Sequence, residues 1–267
     1  MDKNPFKGTL GTYKPLKTDD GSISLYSSAF DETCHSQNGA IVETKHVYLE
    51  GALVKKHFNK FSHGVIFEVG FGTGIGYNTT VNYLNELKEE SPFTLDFVSC
   101  EIDQGLAQYS LENLKEQNLI TEYRLQNVDE LSYFQASLSD NITLVVLIGD
   151  VRKTLPLWAR NPLFQKFERI YHDPFSPKKN PLLWTKEWFQ ELYKHSSSDA
   201  VLSTYSSTRA AWKSLLNTNW HVETFTGFGQ KKLSTRAMKN GETKPEIFQL
   251  CANSPKEEFR DKDYLNA

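Results

Sequence analysis

The run Val65-Ile66-Phe67-Glu68-Val69, passing straight into Gly70-Phe71-Gly72-Thr73-Gly74-Ile75-Gly76, constrains this chain more than any other segment. A β-favouring apolar stretch, four glycines within seven positions, and then Tyr77, Val81, Leu84 and Leu87 at helical spacing predict a strand, a tight turn and a helix. Glycine lets the backbone take conformations closed to other residues and come close to a ligand. The helix start that follows presents free amide donors. Such a strand needs parallel neighbours, and the sequence supplies them. Strands are expected at Leu95–Glu101, at Ile142–Ile148 (ending in Gly149-Asp150), at Phe167–His172 (ending in Asp173-Pro174), at Ala200–Tyr205 and at His221–Thr226. Helices are expected at about 105–118, 182–195 and 208–217, and residues 121–141 read as an extra helical insertion. Ile247–Cys251 reads as a last strand before a charged tail. Strands alternating with helices predict an α/β fold, a mostly parallel doubly wound sheet covered on both faces. Ligands bind such sheets beyond the carboxyl ends of the strands, near the point where strand order reverses.

Residues 1–64 are different: polar and mixed, with extended pieces such as Ile23-Ser24-Leu25-Tyr26 and a helix expected over Thr44–Phe61. The expected division is therefore a mixed N-terminal extension, 1–64, and a main domain, 65–267. At 267 residues with 17 Phe, 12 Tyr and 5 Trp, the chain has material for a sizeable core, which argues against disorder. Its longest apolar run, Leu144–Ile148, is far short of the roughly 20 residues that span a bilayer, and Met1-Asp2-Lys3-Asn4-Pro5 lacks the apolar core of a signal peptide. Cys34, Cys100 and Cys251 form no metal spacing and fit buried thiols in a reducing compartment. A cytoplasmic protein with no metal and no membrane attachment is the expectation. The net charge of −3 argues against a bulk nucleic-acid binder.

Three glycine-rich turns compete for residues 70–76. A dinucleotide fingerprint fails because its third glycine would fall on Ile75 or Tyr77, and a P-loop fails because no lysine lies between His63 and Lys88. The spacing Glu68-x-Gly70-x-Gly72-x-Gly74 resembles motif I of class I S-adenosylmethionine-dependent methyltransferases. Glu101 closes the second strand, where a carboxylate can accept from both ribose hydroxyls, and Asp150 closes the third, where such enzymes commonly hold the adenine amino group. Either acid alone would equally suit a solvated surface. The fourth strand ends in His172-Asp173-Pro174-Phe175-Ser176-Pro177, and Asp-Pro-Phe resembles the Asp/Asn-Pro-Pro-Tyr/Phe loop of amino methyltransferases. There Asp173 can take a hydrogen bond or proton from an amine, Pro174 fixes the loop and Phe175 can stack on a planar base. A rigid exit loop is the plainer reading of the same residues.

The longer string Asp173-Pro174-Phe175-Ser176-Pro177-Lys178-Lys179-Asn180-Pro181, followed by Trp184, is similar to the D-x-F-x-P-x-K-N-P-x-x-W signature of the methyltransferase domain of the MnmC family. Further matches are Phe30-Asp31-Glu32, His35-Ser36, Gly39, Glu43-Thr44-Lys45-His46-Val47-Tyr48, Thr204-Tyr205-Ser206 and Gly227-Phe228-Gly229-Gln230-Lys231-Lys232. The resemblance implies a Rossmann-like methyltransferase that moves a methyl group from S-adenosyl-L-methionine to the aminomethyl nitrogen of 5-aminomethyl(-2-thio)uridine at the tRNA wobble position. It implies that Gly70, Gly72, Gly74, Glu101 with Ile102, and Asp150 with Val151 bind the cofactor, and that Asp173, Pro174 and Phe175 meet the reacting amine. Tyr26, Ser28, Ser36 and Glu43 fall in the N-terminal part that closes over the site. Cys34 replaces an expected aromatic and Gln230 an expected arginine. The FAD-dependent oxidase half of that bifunctional enzyme has no counterpart in the 267 residues, so a stand-alone methyltransferase supplied by a separate enzyme is expected. The anticodon stem-loop would then meet local basic residues: Lys178, Lys179, Lys231, Lys232 and Arg236. Phe175 and Trp184 could stack on a flipped-out base or belong to the core. The alternatives are an aminopropyltransferase resembling spermidine synthase, a methyltransferase of a small amine or protein, and a non-catalytic cofactor-binding module.

Overall fold

The computed structural model describes residues 4–87 and 92–265. The chain opens with four short antiparallel strands, β1 (Phe6–Lys7), β2 (Thr12–Lys17), β3 (Ile23–Ser27) and β4 (Glu32–Thr33), joined in that order. A short helix α1 (Ala40–Glu43) continues into a π-helical segment, Thr44–Glu50. Leu53, at φ 58°, breaks the chain before α2 (Val54–Lys60). The main body then runs β5 (His63–Val69), α3 (Ile75–Leu87), β6 (Thr94–Glu101), α4 (Gln104–Glu116), β7 (Glu122–Val128), β8 (Leu131–Ser139), β9 (Ile142–Ile148), α5 (Val151–Trp158), β10 (Phe167–His172), α6 (Lys186–His195), β11 (Ser196–Thr204), α7 (Arg209–Leu216), β12 (His221–Thr226), β13 (Leu233–Met238) and α8 (Pro245–Ala252).

The second sheet has nine strands in the order β12-β13-β11-β10-β5-β6-β9-β8-β7. Its five central strands, β11 to β9, are parallel, and the two pairs at its edges are antiparallel. Alternation along β5 shows why both faces are covered. Val65, Phe67 and Val69 enter one core with Leu192, Trp188 and Trp212, whereas Ile66 enters the other with Tyr77, Val81 and Leu111. Strand order reverses between β5 and β10, so their carboxyl ends flank the crevice where such sheets hold ligands.

The helical segment 40–60 does not side with the small sheet. Val47, Tyr48, Leu49, Val54 and Phe58 share a core with Ile66 and Phe97 of the large sheet, while Tyr13, Leu25 and Leu106 form a separate cluster under β2 and β3. The extension is therefore antiparallel and compact over residues 6–33, and its helices cover the large sheet.

Three local expectations are corrected. Residues 121–141 form the β7–β8 hairpin, not a helix: Asp129 turns at φ 52°, Leu131 and Tyr133 reach one core, and Phe134 and Ala136 reach the other. Ile247–Cys251 lies in helix α8, where Pro245 suits the first turn and only Ile247 and Cys251, four apart, are buried. Residues 233–238, to which no strand is assigned from sequence and which hold the expected RNA contact Arg236, form β13, antiparallel between β11 and β12. Among the described residues no helix is long and apolar enough to cross a membrane.

Candidate active site

A cavity of about 400 Å³ opens at the carboxyl ends of β5, β6, β9 and β10, within the size range of small-molecule and cofactor sites. Gly70 and Gly72 form its floor. Gly70 sits at φ 103°, and a Cβ there would lie 2.8 Å from the Asp173 carbonyl oxygen, so the loop after β5 can hug the loop after β10 only with glycine at this position. The Asp173 amide donates to the Val69 carbonyl (3.1 Å) and locks the two strand ends together. Gly74, at φ 74°, packs against Leu114 of α4 and shapes the turn from outside the cavity wall.

Glu101 stands at the end of β6 on the cavity wall. Its two carboxylate oxygens each accept one amide, from Gly72 (3.1 Å) and from Asp103 (3.0 Å). Lone pairs remain for a diol, since an ionised carboxylate offers about four acceptor positions. Burial raises the Glu101 pKa to about 7 against the lowering effect of these amides. Asp150 caps α5 by accepting the Arg152 amide (3.0 Å) and also lines the cavity. Ile102, 46% exposed, and Val151 supply apolar surface beside these two acids. A glycine floor, a carboxylate with free lone pairs and flanking aliphatic side chains fit S-adenosyl-L-methionine.

The other end of the cavity is acidic. Asp173 shares it with Glu43 and Glu32, and Lys231 is the lysine among its lining residues. Burial, reinforced by Glu43, pushes the Asp173 carboxyl well above its usual range, and Tyr48 and Lys231 pull the other way. Glu43 accepts the Ser36 amide (2.8 Å), and Glu32 accepts the Ser176 hydroxyl (2.7 Å). Phe30 stacks on Phe175 with ring centres 4.4 Å apart. The N-terminal sheet and the loop after β10 thus meet across the cavity mouth. Behind the loop, the buried Trp184 indole donates to the Phe175 carbonyl (3.0 Å), which makes it part of the core, and Tyr205 donates to the Pro174 carbonyl (2.9 Å). His172 is buried and its pKa is lowered by burial to about 3, so it stays neutral.

Of the residues expected from sequence, Asp173, Pro174, Phe175, Gly70, Gly72, Glu101, Ile102, Asp150, Val151, Ser36, Glu43 and Lys231 converge on this cavity. Tyr26 and Ser28 do not: the Tyr26 hydroxyl donates to Asp31 (2.7 Å), and Ser28 Oγ accepts the Thr12 amide (2.8 Å). Lys178 and Lys232 are exposed outside it, and Lys179 pairs with Asp31 (2.9 Å). Arg236 lies inside the sheet: its guanidinium donates to the carbonyls of Gly51 and Glu50 and to Glu223 (3.0 Å). The alternation of β13 explains this inward placement. Glu32, Tyr48 and Tyr205 were visible in sequence only as family matches, with no spacing to mark them as site residues. Among the described residues, no three His, Cys, Asp or Glu side chains gather to hold a metal ion.

Fold and cavity define a class I methyltransferase that uses S-adenosyl-L-methionine. The family model described as S-adenosyl-L-methionine-dependent methyltransferase matches residues 112–240. The chain is 30% identical over 223 residues to the tRNA 5-methylaminomethyl-2-thiouridine biosynthesis bifunctional protein MnmC of Leptospira interrogans, covering 79% of this chain and 33% of that protein. The MnmC of Paraburkholderia phymatum is 27% identical over 221 residues, covering 78% and 32%. In structure, the chain superposes on MNMC2 from Aquifex aeolicus with TM-score 0.75 and 23% identity, over 97% of this chain and 82% of that one. The chain spans about a third of the length of these curated relatives. Residues 112–240 match that methyltransferase family model, and over most of its length the chain is similar to the MnmC proteins.

Proposed function

We propose that this protein methylates the aminomethyl nitrogen of 5-aminomethyl(-2-thio)uridine at the tRNA wobble position. The observation that carries this reading is the acidic end of the cavity: Asp173, on the strand beside the glycine loop, with Glu43 and Glu32 on the facing elements. Several carboxylates grouped at the reacting end suit a cationic amine, whose charge they offset. When bound, S-adenosyl-L-methionine supplies a methyl group on a sulfonium, whose S–C bond breaks toward sulfur as nitrogen bonds carbon.

The protein's part is positioning and proton management. Asp173 accepts the hydrogen bond of the incoming ammonium and takes one proton, leaving a lone pair directed into the cavity. Pro174 and Phe175, fixed from behind by Tyr205 and Trp184, hold that loop rigid, and the Phe30–Phe175 wall offers a face for the base. Gly70, Gly72, Glu101, Ile102, Asp150 and Val151 hold the cofactor, with Gly74 setting the turn. Residues 1–64 act as the part that closes over the site. Lys178, Lys179 and Lys232, exposed near the mouth, are the contacts proposed for RNA phosphate. The named biosynthetic role of the MnmC relatives supports tRNA as the acceptor; an aminopropyltransferase is not favoured.

The test is transfer of labelled methyl from the cofactor to tRNA carrying 5-aminomethyluridine, beside unmodified tRNA and an Asp173→Ala variant. Label on the modified tRNA alone, lost in the variant, is expected. Label on unmodified tRNA, or none on either with cofactor still bound, would refute the assignment.

A further inference from the structure

Asp173, Glu43 and Glu32 crowd one end of the cavity, where a nearby cation offsets the cost of ionising a buried carboxyl. Asp173 shares that end with Glu43 at the end of α1, Glu32 on β4, Tyr205 after β11 and Lys231 between β12 and β13, and Tyr48 of the π-helical segment and the buried Glu68 on β5 also act on its charge. Lys231 stands apart among them. The Lys231 ammonium lies 3.8 Å from the centre of the Tyr205 ring, and the Tyr205 hydroxyl is tied to the residue after Asp173. Lys231 is exposed and forms no ion pair among the described residues. The cation is therefore held beside the acids by an aromatic face, a contact worth about 0.5–1 kcal/mol at exposed sites, and it can leave.

We propose that Lys231 is the resident counter-ion of the acceptor subsite, displaced when the acceptor's ammonium takes its place against Asp173, Glu43 and Glu32. This rests on the reading that the acceptor is an amine. The exchange selects acceptors by charge, because only a ligand bringing its own cation leaves the acids neutralised once Lys231 moves away. The balance is closed. The acceptor R–NH3⁺ gives one proton to the Asp173 carboxylate and becomes R–NH2, whose lone pair is then free. As product leaves, the proton on Asp173 passes to water, favoured by the return of Lys231. Glu43 opposes ionisation of Asp173 and Lys231 favours it, so the two residues act with opposite sign.

The test follows Asp173 by carbon NMR in protein labelled at the aspartate carboxyl carbon, with Asp173→Asn identifying the signal. Lys231→Met is expected to move the Asp173 midpoint up by about one pH unit, Glu43→Gln to move it down, and Lys231→Arg to restore it. In methyl transfer, the acidic limb of kcat/KM should follow the same directions. Unchanged midpoints in Lys231→Met and Glu43→Gln overturn the proposal. So does a Lys231→Met enzyme whose only change is a weaker, less salt-dependent KM for tRNA, since that marks a phosphate contact. The titration needs no acceptor. Expected shifts in a wild-type protein that methylates no tRNA would sink the tRNA assignment and leave the counter-ion standing.

Discussion

Asp103 links the cofactor side of the cavity to the N-terminal sheet, and replacing it tests whether that sheet is held from this point. Asp103 is fully buried at the start of α4. One oxygen accepts the amides of Thr9 (2.7 Å) and Leu106 (3.0 Å), and the other accepts the Leu10 amide (2.8 Å) and the Tyr13 hydroxyl (3.0 Å). Its own amide donates to Glu101. In Asp103→Ala the Leu106 bond is a helix cap, worth about 1 kcal/mol. The other three reach across more than 80 residues of sequence and join β1 and β2 to the β6 end. At about 1.5 kcal/mol each for bonds to a charged acceptor, they sum to at most roughly 4.5 kcal/mol, and to about 4 kcal/mol once bonds to one group are allowed not to add fully. The detached N-terminal sheet should then be populated on the order of a thousandfold more often, while the large sheet loses only the cap. Hydrogen exchange resolves the two: amides of residues 6–17 should exchange far faster and those of β5 nearly as before. Uniform acceleration across both sheets, or none in residues 6–17, would refute the reasoning. The pH dependence has a fixed sign. Burial raises the Asp103 pKa, but the amides of Leu10, Thr9 and Leu106 and the Tyr13 hydroxyl outweigh it and hold it below the ordinary 3.8. The clamp is therefore fully present above that value and is lost as pH falls through the lowered native pKa.

Glu101 carries the opposite linkage. Its pKa is raised by burial from 4.5 to about 7, so its contribution to apo-protein stability is full below 4.5 and is lost as pH rises through 7. Cofactor affinity, which needs the ionised form, should rise over that interval, and calorimetric titration of wild type against Glu101→Gln should show the rise only in wild type. Gly70→Ala puts a Cβ 2.8 Å from the Asp173 carbonyl at φ 103°. Strain of roughly 1–3 kcal/mol should push the two loops apart, cutting methyl transfer more than tenfold; unchanged kcat/KM would contradict the packing described. Arg236→Ala should lower thermal stability and leave the salt dependence of tRNA binding unchanged, because its guanidinium is occupied by Gly51, Glu50 and Glu223. Lys232→Ala should do the reverse, reducing the salt slope by about one.

The parts of this protein legible in sequence are those where one residue type meets a local demand. Gly70 stands where φ is 103° and a side chain would strike the neighbouring loop, which glycine alone accommodates. Glu101, Asp150 and Asp173 stand at strand ends that a run of apolar β residues announces, so the crevice between β5 and β10 was placed before any coordinate. Legibility fails where the demand is non-local. Strand β13 buries Ser234 and Thr235 completely between β11 and β12, and the Thr235 hydroxyl accepts from the Trp212 indole and donates to the Ser206 carbonyl. Polarity there marks an interior strand, not a surface, and Arg236 lies in that strand with its guanidinium occupied. Helix α8 was misread from its apolar content, although Pro245 and the burial spacing of Ile247 and Cys251 fit only a helix. The acceptor end is the extreme case. Glu32, Glu43, Asp173 and Lys231 come from four separate segments, and no spacing relates them. The set comes together only where the small sheet, the end of α1, the loop after β10 and the loop before β13 meet at the cavity. A methyltransferase fold sets its cofactor crevice at strand ends that local patterns announce, whereas its choice of acceptor depends on side chains that only the completed topology brings together.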